Sequence, residues 1–133
     1  MPTDALITLA GTSSAPLTKT ATFNGTALTL PGGTPRRGLK ARVIYSAAST
    51  SSGAGSATFA VAVSYDAGST FTDIFYGLPI TLSTTAASGE IFIPFEVSPT
   101  SVANGIQVRL DLQAISGTGA TITYNSDPVL NRP

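Results

Sequence analysis

The residues able to carry chemistry are few. The chain has no His and no Cys. That removes imidazole-activated nucleophiles, imidazole metal ligands and thiolate reactions. Five Asp and two Glu remain for acid–base work. Asp66 and Asp73 fall on the two arms of one hairpin pattern, and Glu90 and Glu96 on one face of a strand pattern. A glycosidase needs two carboxyl groups about 5–9.5 Å apart across the scissile bond. All four carboxylates are expected at the solvent rim as ordinary surface charges. No catalytic residue is assigned and no enzyme is expected. Asp66 alone offers a Ca²⁺ ligand, but EF-hand spacing is absent, so neither metal nor cofactor is expected. No G-x-x-x-x-G-K-[ST] occurs, and Gly53 and Gly55 read as spacers in a Ser-rich stretch.

The basic residues cluster more clearly. Arg36-Arg37 is followed closely by Lys40 and Arg42. Guanidinium pairs grip carboxylates or phosphates, so Arg36, Arg37 and Lys40 are the candidate partner-binding residues. Seven basic and seven acidic side chains cancel. Zero net charge argues against nucleic-acid binding, which depends on neutralising phosphates. No apolar run approaches the ~20 residues needed to span a bilayer, so no membrane partner is expected.

The elements positioning these groups read as strands. Charged residues are only 11% of the 133, against 20 Thr, 15 Ser, 13 Gly and 9 Pro. Thr suits pleated strands, while Ser, Gly and Pro build turns. Ala5–Leu9 is a first strand candidate. Asn24-Gly25, between Thr20–Phe23 and Thr26–Leu30, predicts a two-residue hairpin. Asn24-Gly25-Thr26 also has the form of a glycosylation sequon. Pro31–Gly38 is a loop, and Ala47–Ser56, nearly all small residues, reads as a mobile one. Leu39–Tyr45 places Ala41, Val43 and Tyr45 on one face. In Thr58–Tyr65, Phe59, Val61, Val63 and Tyr65 share a face and the opposite row is small, as in a strand covered on both faces. Thr70–Tyr76 and Leu78–Leu82 follow. Glu90–Val97 turns Ile91, Ile93 and Phe95 inward, and its Pro94 predicts an edge strand. Gly105–Ile115 points Ile106, Val108, Leu110, Leu112 and Ala114 inward and Arg109 and Asp111 outward. Ala120–Asn125 closes the set. Only Ser98–Asn104 offers a single helical turn. The expectation is one all-β domain, an antiparallel β-sandwich of jelly-roll type with about eight to ten strands. Polar arms flank it at about 1–19 and 126–133.

Ser64-Tyr65-Asp66-Ala67-Gly68-Ser69-Thr70-Phe71 resembles the Asp-box hairpin, S-x-D-x-G-x-T-W, with Phe at the Trp position. In the families that carry it, its Asp ties down a turn, which implies a structural role here. The whole chain is similar in style to capsid decoration (cement) proteins of tailed bacteriophages. The likeness rests on Met1 without a secretory signal, the Ser/Thr/Ala/Gly-rich β pattern lacking Cys and Trp, the hairpin at 64–71 and the polar ends. The resemblance implies a structural virion protein, made in the host cytoplasm. It would bind the major capsid protein on the capsid exterior, as a homo-oligomer and often a trimer, and stabilise the head. A phage tail, fibre or adhesin module binding a glycan or receptor is the alternative.

Overall fold

The computed structural model describes residues 16–29, 39–65, 68–96 and 106–126. Ten strands occur among them. They are β1 (Leu17–Lys19), β2 (Phe23–Asn24), β3 (Leu28–Thr29), β4 (Leu39–Ser49) and β5 (Ser52–Ser64), then β6 (Thr72–Tyr76), β7 (Ile80–Leu82), β8 (Ala87–Phe95), β9 (Gln107–Thr118) and β10 (Thr121–Asn125). No helix is present among the described residues. The first sheet has the order β1-β10-β4-β8. The second has β2-β9-β5-β6, with β3 also on β9 and β7 also on β5. All pairings are antiparallel. The chain is an antiparallel β-sandwich.

The core lies between the sheets. Phe59, Val61 and Val63 of β5 and Val108, Leu110 and Leu112 of β9 meet Ala41 and Val43 of β4, Ile93 and Phe95 of β8, and Ile122 and Tyr124 of β10. Phe59 and Tyr124 meet edge to face across the sheets with ring centroids 4.7 Å apart. Ile91 is only partly buried, packed at the margin of this core. β8 ends the first sheet, as Pro94 requires.

β5 is covered on both faces. Its inward row is buried, and so are Ala60, Ala62 and Ser64 in the outward row. Asp111, beside Ala60 on β9, is also buried, at 1% exposure. The alternation of β9 places Asp111 outward as expected, but outward there is not solvent. Ala114 corrects a second expectation, because it is exposed. Thr58 pairs with Ala114 and Phe59 with Leu112, so Gln113 is an extra residue in β9. That bulge reverses the alternation and sends Ile115 to the core instead. Tyr65 is also exposed rather than buried, lying just past the end of β5.

Two turn readings differ from the structure. Asn24-Gly25 makes no hairpin between β2 and β3, because both strands pair with β9. Phe23 lies opposite Leu112 and Leu28 opposite Val108, so the chain continues along one interrupted edge. This lets both apolar side chains reach the core, where a tight hairpin would leave only one arm on β9. The freed Gly25 amide donates to the Asp111 carboxylate at 3.2 Å. Ala47–Ser56 is not a loop either. β4 runs to Ser49 and β5 starts at Ser52, so Thr50 and Ser51 alone cross from one sheet to the other. Thr50 is buried, its hydroxyl donates to the Gly53 carbonyl at 2.6 Å, and its amide donates to Ser83 O at 2.8 Å. The Ser51 amide donates to Thr118 O at 2.9 Å. Hydroxyl side chains here close a sharp corner by satisfying backbone groups.

The ends of the sandwich differ. At one end the corners at 20–22, 50–51, 83–86 and 119–120 are all short and cross between sheets. At the other lie Tyr65 and Gly68–Phe71 between β5 and β6, the strand ends Thr29, Leu39, Phe95 and Gln107, and the outer ends of β1 and β10. Leu17–Lys19, within the expected first arm, forms β1, and Ser126 is buried. Residues 1–15 and 127–133, the strand candidate Ala5–Leu9, the loop Pro31–Gly38 and the turn Ser98–Asn104 lie outside the described residues.

Tyr124 gives the core a measurable pH signature. It is fully buried, and its hydroxyl has no hydrogen-bond partner among the described residues. Burial, helped by the negative charge of Asp111, pushes its pKa up to about 12. An unfolded tyrosine ionises near ~10. Below that value both states are protonated and nothing is lost. Between ~10 and ~12 the unfolded chain releases the proton while the folded chain retains it, so stability falls as pH rises, by roughly 2–3 kcal/mol at the top of the window. In urea titrations from neutral to strongly alkaline pH, Tyr124→Phe should match wild type to about 1 kcal/mol at neutrality. It should then outlast wild type above pH ~10.

Candidate partner-binding site

The expected site residues fall in different settings. Arg36 and Arg37 lie outside the described residues, as does Asp66. Lys40 is exposed on β4, opposite Pro94 of β8. Its Nζ stands 5.7 Å from the centroid of the Phe92 ring. Phe92, opposite Arg42, is 47% exposed, a large apolar group left facing outward. Arg42 Nε donates to Glu90 Oε2 at 2.9 Å. Both partners are largely solvated, so the pair contributes little stability, and it leaves Glu90 engaged as a counter-ion. Lys40, Arg42, Glu90, Phe92 and Pro94 thus share the outer face of the first sheet at its β8 edge. Sequence reasoning named the basic members but missed Phe92. The signal was the alternation that sends Ile91 and Ile93 inward, which leaves Phe92 outward.

Of the two carboxylate pairs, only Glu90 and Glu96 lie wholly among the described residues. Glu90 and Glu96 are six positions apart along extended chain, roughly 20 Å by strand rise. That exceeds the spacing of paired glycosidase carboxyls. Asp73 belongs to β6. No group of three or more His, Cys, Asp or Glu suited to a metal ion occurs among the described residues. No helix there is long and apolar enough to cross a membrane.

The Asp-box-like segment connects β5 to β6, which pair with each other, and its Asp66 and Ala67 lie outside the described residues. Within it, the Gly68 amide donates to Ser64 Oγ at 2.9 Å. Gly68 has φ +92°, a conformation that favours glycine, and a Cβ there would meet only the movable end of the Gln107 side chain. Phe71, at the Trp position of the motif, lies under the Arg109 guanidinium at 4.3 Å from its centroid. Arg109 Nε in turn reaches the Asp111 carboxylate at 2.9 Å. Phe71 therefore caps an ion pair on the outer face of the second sheet whose carboxylate is buried and whose guanidinium side is partly exposed.

No family model, curated protein or solved structure matches this chain.

The ion pair predicts a non-additive response. Arg109→Met would remove the guanidinium from the buried Asp111 carboxylate and should cost roughly 3–5 kcal/mol in denaturant unfolding. Adding Asp111→Leu to that variant should recover a large part of the loss, since the buried charge is then gone.

Proposed function

We propose that the chain is a non-catalytic, jelly-roll binding module of a virion, a decoration protein that attaches to an assembled capsid and stabilises it. The jelly-roll reading is supported by strand order. With β2 and β3 counted as one interrupted strand, and β6 and β7 as another, eight successive strands take the orders 1-8-3-6 and 2-7-4-5. Those are the orders of two interlocked Greek keys. The observation that carries the functional reading is the contrast between the two ends. Short hydrogen-bonded corners tie the sheets at one end. The basic residue Lys40 and the Gly68 hairpin stand at the other, on a rigid scaffold of the kind that presents binding groups. The partner is the major capsid protein, engaged by a homo-oligomer, with modest affinity per protomer multiplied across a repetitive shell. Arg36, Arg37 and Lys40 supply the charged contact. A second reading, a tail or fibre module for a glycan, is favoured by the exposed Phe92 ring, which offers an apolar platform.

Reconstitution tests this. Purified chain is added to shells assembled from the major capsid protein of the same virus, and co-sedimentation is measured. Binding that saturates and raises the shell's melting temperature is expected. A chain that stays in the supernatant, or a hit on a glycan array in place of shell binding, contradicts the proposal.

A further inference from the structure

One reactive motif has no part in the binding role. Asn followed by Gly occurs at Asn24-Gly25 and at Asn104-Gly105. The first pair lies among the described residues and the second outside them. A carboxamide carbon is an electrophile, and the backbone nitrogen of the following residue is a nucleophile that can close a five-membered ring onto it. Glycine at that position adds no Cβ to obstruct the attack. Asn24 ends β2 and is exposed, so water reaches its side chain. Gly25 lies just past the strand, and its amide donates to the Asp111 carboxylate at 3.2 Å.

Two features restrain the reaction in the folded chain. Ring closure requires Asn24 Cβ and Gly25 N to be nearly eclipsed about the Asn24 Cα–C bond. The extended backbone of Asn24, opposite Asp111 of β9, turns them well away from each other. The attacking species is the deprotonated nitrogen, an anion, and the Asp111 carboxylate beside it disfavours that form. The restraint is lightly anchored. Among the described residues β2 is the edge of its sheet, and it has two paired residues, Phe23 with Leu112 and Asn24 with Asp111. Phe23 is only partly buried. A short edge of this kind opens locally at a fraction of the free energy of global unfolding.

We propose that Asn24 is a self-modification site: opening of β2 from β9 permits its deamidation, and the product then keeps the two strands apart. On opening, Gly25 N gives its proton to hydroxide and bonds to Asn24 Cγ. The Cγ–Nδ2 bond breaks, and ammonia departs with a proton taken from water. Water opens the succinimide at either carbonyl, leaving aspartate or isoaspartate at position 24. Either product places a carboxylate opposite Asp111, and like charges directly opposite on paired strands are destabilising. Isoaspartate also adds a methylene to the backbone, which breaks the register with β9. The change runs one way, and it leaves that stretch of β9 without its partner.

The test is peptide mapping by mass spectrometry of the full chain, aged in mildly alkaline buffer. In urea, Asn24 and Asn104 should convert at similar rates. In the folded chain Asn24 should convert at least about tenfold more slowly than in urea. Phe23→Ala, which loosens β2, should convert several-fold faster than folded wild type, and Phe23→Leu replaces it if the alanine variant does not fold. Isoaspartate in the product marks the cyclic route. Asn24→Asp, which mimics the product, should lower the urea midpoint and hasten hydrogen exchange where β2 meets β9. Asn24→Ser, exposed and uncharged, should stay at the wild-type midpoint. Equal rates in folded and unfolded chain, a Phe23 variant no faster than wild type, or conversion without isoaspartate would overturn the control of deamidation by β2. An Asn24→Asp midpoint equal to that of Asn24→Ser would overturn the lasting separation of the strands.

Discussion

The pairing of β5 with β9 is the constraint on which the rest of the molecule depends. The two strands pair along nearly their whole lengths, Ser52 opposite Thr118 at one end and Ser64 opposite Gln107 at the other. Their inward side chains supply much of the hydrophobic core. Because the outer face is covered as well, the outward row of β5 is restricted to Ala60, Ala62 and Ser64. Opposite Ala60 and Ala62 on β9 stand Asp111 and Arg109, which form an ion pair, with the Phe71 ring against the guanidinium. Burying that pair carries a desolvation cost, and its geometry offsets part of it: both carboxylate oxygens lie near Arg109 Nε, and the Gly25 amide donates to one of them. The interrupted β2–β3 edge and the Gly68 hairpin both follow from this arrangement, since each brings a group to it.

The first sheet is built on different terms. Its inward face completes the core through Val43, Ile93, Ile122 and Tyr124, while its outer face runs from buried Asn125 on β10 to exposed Glu90 and Phe92 on β8. On that face Thr18 and Thr123 share a hydroxyl hydrogen bond at 2.9 Å, while the β8 side carries Lys40, Arg42, Glu90 and Phe92. Short corners lock the sheets together at one end. Among the described residues the short corners thus lie at one end of the sandwich, opposite the end where Lys40 and Gly68 stand, and that contrast motivates the proposed binding role.

Period-two patterns read from the sequence located the long strands well, because a strand with one buried face must alternate. The inward rows of β5, β8 and β9 and the edge position forced by Pro94 were all legible. Local turn chemistry was less so. Asn24-Gly25 has strong hairpin character, yet the core offered both flanking strands a place on β9, and tertiary packing prevailed. The composition of Ala47–Ser56 resembles a loop, yet its hydroxyls satisfy the backbone of a tight corner. Ala114 was misplaced because a single extra residue at Gln113 shifts the phase, and a bulge leaves no mark in the alternation before it. The buried state of Asp111 was hidden for another reason. Alternation tells which side a residue faces and not what covers that side, and the hint lay on another strand, in the small outward row of β5. Of the candidate site, Lys40 was visible as charge, whereas its Phe92 partner is brought beside it only by the β4–β8 register.

The double-sided burial of β5 is the claim most open to direct attack. Ala62 and Phe92 both point away from the core of their own sheets, Ala62 at 0% exposure and Phe92 at 47%. Denaturant unfolding of Ala62→Lys and Phe92→Lys, measured side by side with wild type, separates a covered outward face from a solvated one. The account predicts that Ala62→Lys loses at least about 2–3 kcal/mol, through overpacking and a desolvated charge, or fails to fold. Phe92→Lys should stay within about 0.5 kcal/mol of wild type. Equal tolerance at the two positions would mean that the outer face of β5 is open to water, and the structural account given for Asp111, Arg109 and the Gly68 hairpin would be wrong.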